Sequence, residues 1–425
     1  MASIRKRGNT YQIVVSNGRD MNGKQLIETA TFTPDPERTD KQNEKALQLF
    51  AMEFEKKVKD GKCFSGQRMT YSSYIDIWMK DYAEKQMEQT SYERCESAQR
   101  TIILPALGNM KLSAIKPLHI QKLYDNMLKN GYEKNGKQYS YNPNTVKRVH
   151  QIISSSLNTA VYWQLIEDNP CKRVKPPKVE KQVDVKHFTL EQAQAFLEYL
   201  DEPYTITYRG RQKHDGSPSD QYHEERCIPL QFRVFFNMAL LGGFRRGELI
   251  ALTWDDVDYA HNTVEIRKSA ARVKDGIIIK APKTFSSNRI VTLPADCMKL
   301  LKRLEIQQKE YRLQVGEYWK GEGHIFTQDD GSIMDISTPN KVFKKIIRRY
   351  NEDINHHEKL PEITLHGLRH TSATLLIAQN IDVKTVSGRL GHSETSTTMD
   401  IYAHALKKRD EEAAASLDIL FKKHG

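Results

Sequence analysis

Cysteine is scarce and scattered in this chain. Its five cysteines, Cys63, Cys95, Cys171, Cys227 and Cys297, include no Cys-x-x-Cys pair, which argues against a disulfide framework or a structural zinc site. Long apolar runs are missing too: no stretch of about 18 apolar residues could span a bilayer. The opening Met-Ala-Ser-Ile-Arg-Lys-Arg has no apolar segment behind it, so no secretory signal is expected. The expectation is a cytoplasmic protein with free thiols and no membrane partner. Internal repeats and low-complexity tracts are absent, which sets aside repeat architectures. Acidic residues are in deficit, 54 against 65 Lys and Arg, leaving a net charge of +11. That excess suits a polyanionic partner, because Lys and Arg that neutralise phosphates release condensed counterions.

At 425 residues the chain is too long for one ordinary core, so several domains are expected. Residues 4–32 read as a three-stranded ribbon: Thr-Tyr-Gln-Ile-Val-Val is β-rich, Asn17-Gly18 and Asn22-Gly23 are turn dipeptides, and 25–32 return as a strand. Arg5, Lys6, Arg7, Arg19 and Lys24 decorate it. A basic β-ribbon can enter a major groove, or simply be a solvated edge that resists strand addition. A helix is expected over 39–59. From 70 to 172 the apolar spacing is helical, interrupted by a polar loop at 130–141, and Lys147 and Arg148 lie off the apolar stripe of the helix at 144–163.

Lys172-Arg-Val-Lys-Pro-Pro-Lys178 is basic and proline-stiffened, and its Lys172, Arg173 and Lys175 could lie along a phosphate backbone. Thr189 with Gln192 forms a capping-box signature that opens the last domain. There, 203–226 reads as an insertion loop, a helix is expected at 230–240, and strand-like runs at 263–267, 277–280 and 289–293 are expected to form one small sheet with Lys283 between the last two. Lys341, Lys344, Lys345, Arg348 and Arg349 recur on one side of a helix, a positive face without an acidic mate. The expected boundaries are 1–62, 69–172, a linker over 173–187, and 188–425.

One group of residues carries chemistry: Arg245, Lys283, His366, Arg369, His392 and Tyr402. Breaking a phosphodiester without a metal requires neutralising the phosphoryl oxygens, supplying a nucleophile and protonating the leaving oxygen. The two arginines offer permanently charged forked donors. Tyr402 is a nucleophile whose ordinary pKa, about 10, calls for a base or a positive site, and His366 or His392 could serve as that base. Lys283 could protonate the departing oxygen. Each residue alone also has a plain structural reading, and Glu248 is an ion-pair mate for Arg245. His366 and His370 have the i, i+4 spacing of metal ligands. The Glu of His-Glu-x-x-His is missing, however, and Arg369 would repel a dication, so no metal and no other cofactor is expected.

Gly243-Phe-Arg245-x-x-Glu248-Leu, Pro282-Lys283-Thr, His366-Gly-Leu-Arg369-His, Leu390-Gly-His392 and Tyr402 together resemble the signature of the tyrosine recombinase, or phage integrase, family, of the type found in conjugative transposons and integrative elements. Gly242 and Phe244 stand where Thr and Leu are common. The resemblance implies a multidomain fold: a small N-terminal α+β ribbon domain that binds arm sites, an all-α core-binding domain, and a mixed α+β catalytic domain. It further implies that Tyr402 attacks a scissile phosphate to leave a 3′-phosphotyrosine and a free 5′-hydroxyl. Arg245, Arg369 and His392 would hold the phosphate, Lys283 would act as acid, His366 as proton acceptor, and Glu248 would support Arg245. The implied function is site-specific integration and excision of a mobile element. Its implied partners are double-stranded DNA at core and arm attachment sites, three further copies in a tetramer on DNA, and an excision factor. A helix over 410–420 would pack on a neighbouring subunit or on its own domain, and the free chain is expected to be monomeric or weakly associated. Relaxation of DNA in the manner of a type IB topoisomerase, and a non-catalytic DNA-binding regulator, are the competing readings.

Overall fold

Alternating apolar and polar residues at the start of the chain form three antiparallel strands, β1 (Ser3–Arg7), β2 (Thr10–Arg19) and β3 (Gln25–Phe32), in the order β1-β2-β3. The computed structural model describes residues 2–19, 23–59, 69–179, 186–208, 222–281, 288–353, 356 and 358–391. On the ribbon's buried face, Ile13 and Val15 pack against Leu47, Ala51 and Val58 of helix α1 (Asp40–Lys59). Burying each such side chain contributes about 1.5–3 kcal/mol. Ile4 lies opposite Ile13, so the pleat assigns Lys6 to the helix side and Arg5 and Arg7 to the open face. The chain divides into two compact units, Met1–Glu180 and Lys181–Gly425.

The rest of the first unit is mainly helical. Its main helices are α2 (Tyr71–Trp78), α3 (Gln89–Ala98), α4 (Pro117–Lys129) and α5 (Pro143–Tyr162), and π-helical turns extend α2 at Met79–Ala83 and α3 at Gln99–Ile103. Local chemistry sets the helix starts. Thr70 accepts from the Ser73 amide, and Asn142 accepts from the Asn144 amide with Pro143 at the first helical position. The apolar stripe expected on α5 is buried as Val146, Val149, Ile153 and Leu157. Cys171 and Val174 belong to the same core, so the chain stays with the helical domain through Val174. The segment read as a loop at 130–141 contains a short hairpin, β4 (Tyr132–Lys134) with β5 (Lys137–Tyr139). Cross-strand stacking of Tyr132 on Tyr139, with ring centroids 5.6 Å apart, supports that pairing.

The second unit opens with α6 (Leu190–Tyr199), where Thr189 and Gln192 make both capping-box bonds. The insertion read as a loop is a hairpin at its base, β6 (Tyr204–Tyr208) paired with β7 (Tyr222–Arg226). Its polar composition hid the strands because neither is deeply buried. Next come α7 (Leu230–Leu241) and the short α8 (Arg246–Ala251). The expected single sheet is two sheets. β8 (Val257–Asp258), β9 (Thr263–Ile266) and β12 (Arg289–Thr292) pair in the order β12-β9-β8, while β10 (Ser269–Val273) pairs with β11 (Gly276–Lys280) in a separate sheet. The sequence reading missed β10, and with it the partner that takes β11 away from β12. Helices α9 (Ala295–Val315), α10 (Thr338–Glu352), α11 (Leu365–Ala378) and α12 (Val383–Leu390) complete the described part. Phe188, Phe196, Phe235, Phe236, Phe326 and Phe343 are fully or almost fully buried at its centre. The T-shaped Phe235–Phe326 pair, centroids 4.9 Å apart, is among their contacts.

Candidate active site

The site is built on the C-terminal end of α12. The last carbonyls of a helix have no partner within the helix and carry the negative end of its dipole, so they attract cationic donors. Three guanidinium groups meet them here. Arg245 Nη2 donates to the Gly391 carbonyl at 3.0 Å and its Nη1 lies 3.4 Å from the Leu390 carbonyl. Arg369 Nη2 donates to the Leu390 carbonyl at 2.6 Å, and Arg289 Nε to the Arg389 carbonyl at 2.7 Å. Arg369, although charged, is 2% exposed, and its Nη1 also donates to the Gly243 carbonyl at 2.8 Å.

Two glycines allow this close approach. Gly391 ends α12 in the left-handed conformation, φ +68°, and a Cβ there would lie 2.9 Å from Arg289 Nη1. Gly243 has φ +64°, and a Cβ there would meet Leu390 Cδ2 at 2.6 Å. Both are places where backbone must pass beside a guanidinium or the chain that it binds.

Glu248 is the carboxylate of this cluster and is buried, with 5% of its side chain exposed. Its Oε2 accepts from the Arg245 amide at 2.8 Å, which caps α8, and its Oε1 accepts from Arg245 Nη1 at 2.8 Å. Arg289 grips the same two oxygens in a fork, Nη1 to Oε1 at 3.1 Å and Nη2 to Oε2 at 2.7 Å. Burial alone would raise the Glu248 pKa. The Arg289 hydrogen bonds, then the charges of Arg289 and Arg245, outweigh it and hold the carboxyl below the ordinary range. Arg389 lies beside Arg289 and donates from Nη2 to the carbonyls of Leu241 and Thr292. Desolvation, followed by the Arg289 charge, lowers its pKa.

Helix α11 brings in His366 and Arg369. Thr364 caps it, accepting from the Gly367 amide at 3.3 Å. Arg369 faces the core while His366 is exposed and borders a cavity of about 260 Å³ lined also by Phe235, Phe244, Arg246 and Asn340. Partial desolvation, then the charges of Arg369 and Arg245, lower the His366 pKa. The imidazole is therefore neutral at pH 7 and able to accept a proton. His370 meets it edge-on, ring centroids 4.7 Å apart, and is pushed down to about 4 by burial first, then by His366 and Arg369, beside which a second positive charge is disfavoured. Among the described residues no group of three or more His, Cys, Asp or Glu is placed to hold a metal ion.

Of the residues singled out in the sequence, Arg245, Glu248, His366 and Arg369 are in this arrangement. Lys283, His392 and Tyr402 lie outside the described residues, as do the expected helix at 410–420 and Cys63. The sequence reading missed Arg289 and Arg389. The one available signal was their position, Arg289 opening an otherwise apolar strand and Arg389 directly preceding Leu390-Gly-His392.

The candidate DNA-contacting residues are placed unevenly. Arg5, Lys6, Arg7, Lys147, Arg148, Lys172, Lys175, Lys341, Lys344 and Lys345 are exposed. Lys6 sits 5.9 Å over the Tyr11 ring, and Arg19 donates to the Gly23 carbonyl at the β2–β3 turn. Arg173 pairs with Asp168. The face of α10 was expected to lack an acidic mate, but Arg348 lies 3.8 Å from Glu352 one turn on. Arg349 leaves the row to stack 3.8 Å over Tyr204, tying the base of the β6–β7 hairpin to α10.

The model of the phage integrase family matches residues 220–409, and that of the phage integrase N-terminal SAM-like domain matches residues 70–128. The chain is 26% identical to a XerC-like tyrosine recombinase of Caldanaerobacter subterraneus, over 97% of this chain and 96% of the relative. It is 29% identical to the ICEBs1 integrase of Bacillus subtilis, over 65% of this chain and 66% of that protein. Among solved structures, the Tn1549 transposon integrase in complex with transposon right-end DNA matches with a TM-score of 0.59 at 18% identity, covering 81% of this chain and all of that one. A lambda integrase dimer bound to a core site matches with a TM-score of 0.52 at 15% identity, covering 94% of each chain. The last two likenesses establish the fold: a multidomain recombinase architecture of helices and small sheets. With motifs, fold and both family models in agreement, this chain carries a phage integrase family domain of the tyrosine recombinase type over residues 220–409 and a phage integrase N-terminal SAM-like domain over residues 70–128.

Proposed function

We propose that this protein cuts and rejoins DNA through a covalent tyrosine intermediate, as the site-specific recombinase of a mobile element. One observation carries the proposal: Arg245 and Arg369, from different helices, are brought onto a single oxygen, the Leu390 carbonyl, two residues before His392. A site that already gathers guanidinium donors around one oxygen is preorganised for the charge of a pentacoordinate phosphoryl group. Tyr402 attacks phosphorus, the 5′ oxygen leaves with a proton from Lys283, and the tyrosine proton passes to the neutral His366. The product is a 3′-phosphotyrosine, which conserves the ester for rejoining. Arg245, Arg369 and His392 hold the phosphate, and Glu248 holds Arg245.

DNA is the partner. The ribbon's Arg5 and Arg7 support arm-site contact, while Lys147, Arg148, Lys172, Arg173 and Lys175 in the first unit, and Lys341, Lys344, Lys345 and Arg348 in the second, support contact with core-site phosphates. The working assembly is a tetramer on paired sites, with an excision factor setting direction.

The test is a nicked core-site duplex that, on cleavage, loses the short downstream fragment bearing the new 5′-hydroxyl. Wild-type protein is expected to become linked to the DNA 3′ end, and Tyr402→Phe to give none of that adduct. An adduct formed by Tyr402→Phe would remove the tyrosine from its role. Joining of two duplexes separates recombination from relaxation of a supercoiled circle.

A further inference from the structure

Arg289 has no part in the chemistry described above, yet all three of its guanidinium nitrogens are bonded within the cluster. Only 6% of its side chain is exposed. Its Nη1 and Nη2 take the two oxygens of Glu248, and its Nε takes the Arg389 carbonyl. Arg245, by contrast, keeps 36% of its side chain exposed and reaches only Oε1 of that carboxylate through its guanidinium. Glu248 thus has two arginine partners that compete for it.

We infer that Arg289 is a positioning residue for strand cleavage: by occupying both oxygens of Glu248, it keeps that carboxylate from closing as a fork onto Arg245, whose guanidinium therefore stays directed to phosphate. The inference rests on the reading of Arg245 as a phosphate ligand. A buried carboxylate deprived of Arg289 must be neutralised by something, and Arg245 is already in contact with it. A bidentate Arg245–Glu248 pair would be internally neutral, would present its donors to the protein, and would stabilise the charge that builds on the phosphoryl oxygens poorly. The Nε bond to the Arg389 carbonyl adds a second constraint, because it fixes the end of α12 against the first residue of β12.

This mechanism predicts an epistasis that simple structural support does not. Removing the charge of Glu248 should help a chain that lacks Arg289, since a neutral amide cannot capture Arg245 as a carboxylate does. The full-length protein is assayed on the nicked core-site duplex for the rate of covalent adduct formation, with core-site affinity and thermal unfolding measured in parallel. Arg289→Met is expected to slow adduct formation about thirtyfold at saturating DNA, with affinity changed by less than about threefold. Adding Glu248→Gln to Arg289→Met is expected to recover about fivefold of that loss. An Arg289→Met rate within about threefold of wild type, or a double variant no faster than Arg289→Met, overturns the inference.

If Arg289→Met does not fold, Arg289→Lys decides. One ammonium cannot hold both carboxylate oxygens and the Arg389 carbonyl, so its rate should fall about fivefold to tenfold with affinity kept, and a wild-type rate overturns the inference. Failure of the underlying reading looks different: wild-type protein then yields no adduct, or Tyr402→Phe yields one.

Discussion

In the helical domain, Tyr71 and Tyr74 are wholly buried and bonded to neutral groups. Tyr71 Oη lies 3.2 Å from Ser156 Oγ and accepts from Gln99 Nε2 at 3.3 Å, while Tyr74 Oη donates to the Ser156 carbonyl. Burial pushes both phenols far above their usual range, so no charge forms there at any physiological pH. In the second unit, the cluster around Glu248 is equally inaccessible at Arg369 and Arg289 but is charged throughout. Four guanidinium groups gather beside one carboxylate, and helix-end carbonyls take up donors that the carboxylate does not. The first cluster satisfies its polar groups and stops. The second holds a surplus of positive charge that protein dipoles compensate only in part, an environment suited to an anion.

That contrast can be broken at four points. Arg369→Lys should have the largest effect, slowing adduct formation by about 10²–10³-fold, because one ammonium cannot serve the Gly243 and Leu390 carbonyls and a phosphate together. A rate within about tenfold of wild type would mean that Arg369 is a structural bolt like Tyr71. Gly391→Ala should come next. It strains a left-handed residue by about 1 kcal/mol and drives a methyl into Arg289, so adduct formation should drop about tenfold while core-site binding persists. Measuring both on the same preparation separates misplacement from unfolding.

Tyr71→Phe tests the neutral cluster. Loss of its hydrogen bonds leaves Ser156 and Gln99 poorly partnered and should lower unfolding free energy by about 1–2 kcal/mol in a urea titration. The adduct rate per folded molecule should be unchanged, and a slower rate would link the two regions functionally.

The last test concerns pH and leaves the adduct rate aside. His370 titrates near 4 in the folded chain against 6.5 unfolded. Between those values the unfolded chain carries the extra proton, so stability should fall as pH drops from 6.5 towards 4 and stay level above. The slope is at most about 1.4 kcal/mol per pH unit. His370→Gln should flatten that part of the stability curve, and an unaltered slope would assign the dependence to other groups.

Much of this molecule was legible in residue order because it depends on neighbours in sequence. The capping box of Thr189 and Gln192, the proline and asparagine that start α5, and the apolar stripe of Val146, Val149, Ile153 and Leu157 are each set by contacts within a turn or two. The Arg245–Glu248 pair is of the same kind, three residues apart on one short helix. The motif order also marked the family and the residues to watch, because chemistry on a phosphate restricts which side chains can serve.

What no local rule could supply is who competes for whom. The pairing of β11 with β10 rather than β12, the hairpin at the base of the insertion, and the stacking of Arg349 on Tyr204 follow from partners distant in sequence. So does the central fact of the site: beyond their positions, at the start of an apolar strand and just before Leu390-Gly-His392, nothing near Arg289 or Arg389 in sequence names the groups that they bind. Only tertiary packing removes Arg289 from water, sets it on Glu248 and brings the end of α12 within reach. A buried carboxylate must be compensated by whichever cations the fold places beside it. The sequence therefore determined which groups can handle a phosphate, and the tertiary structure decided which arginine is buried against the Glu248 carboxylate and which keeps part of its side chain exposed.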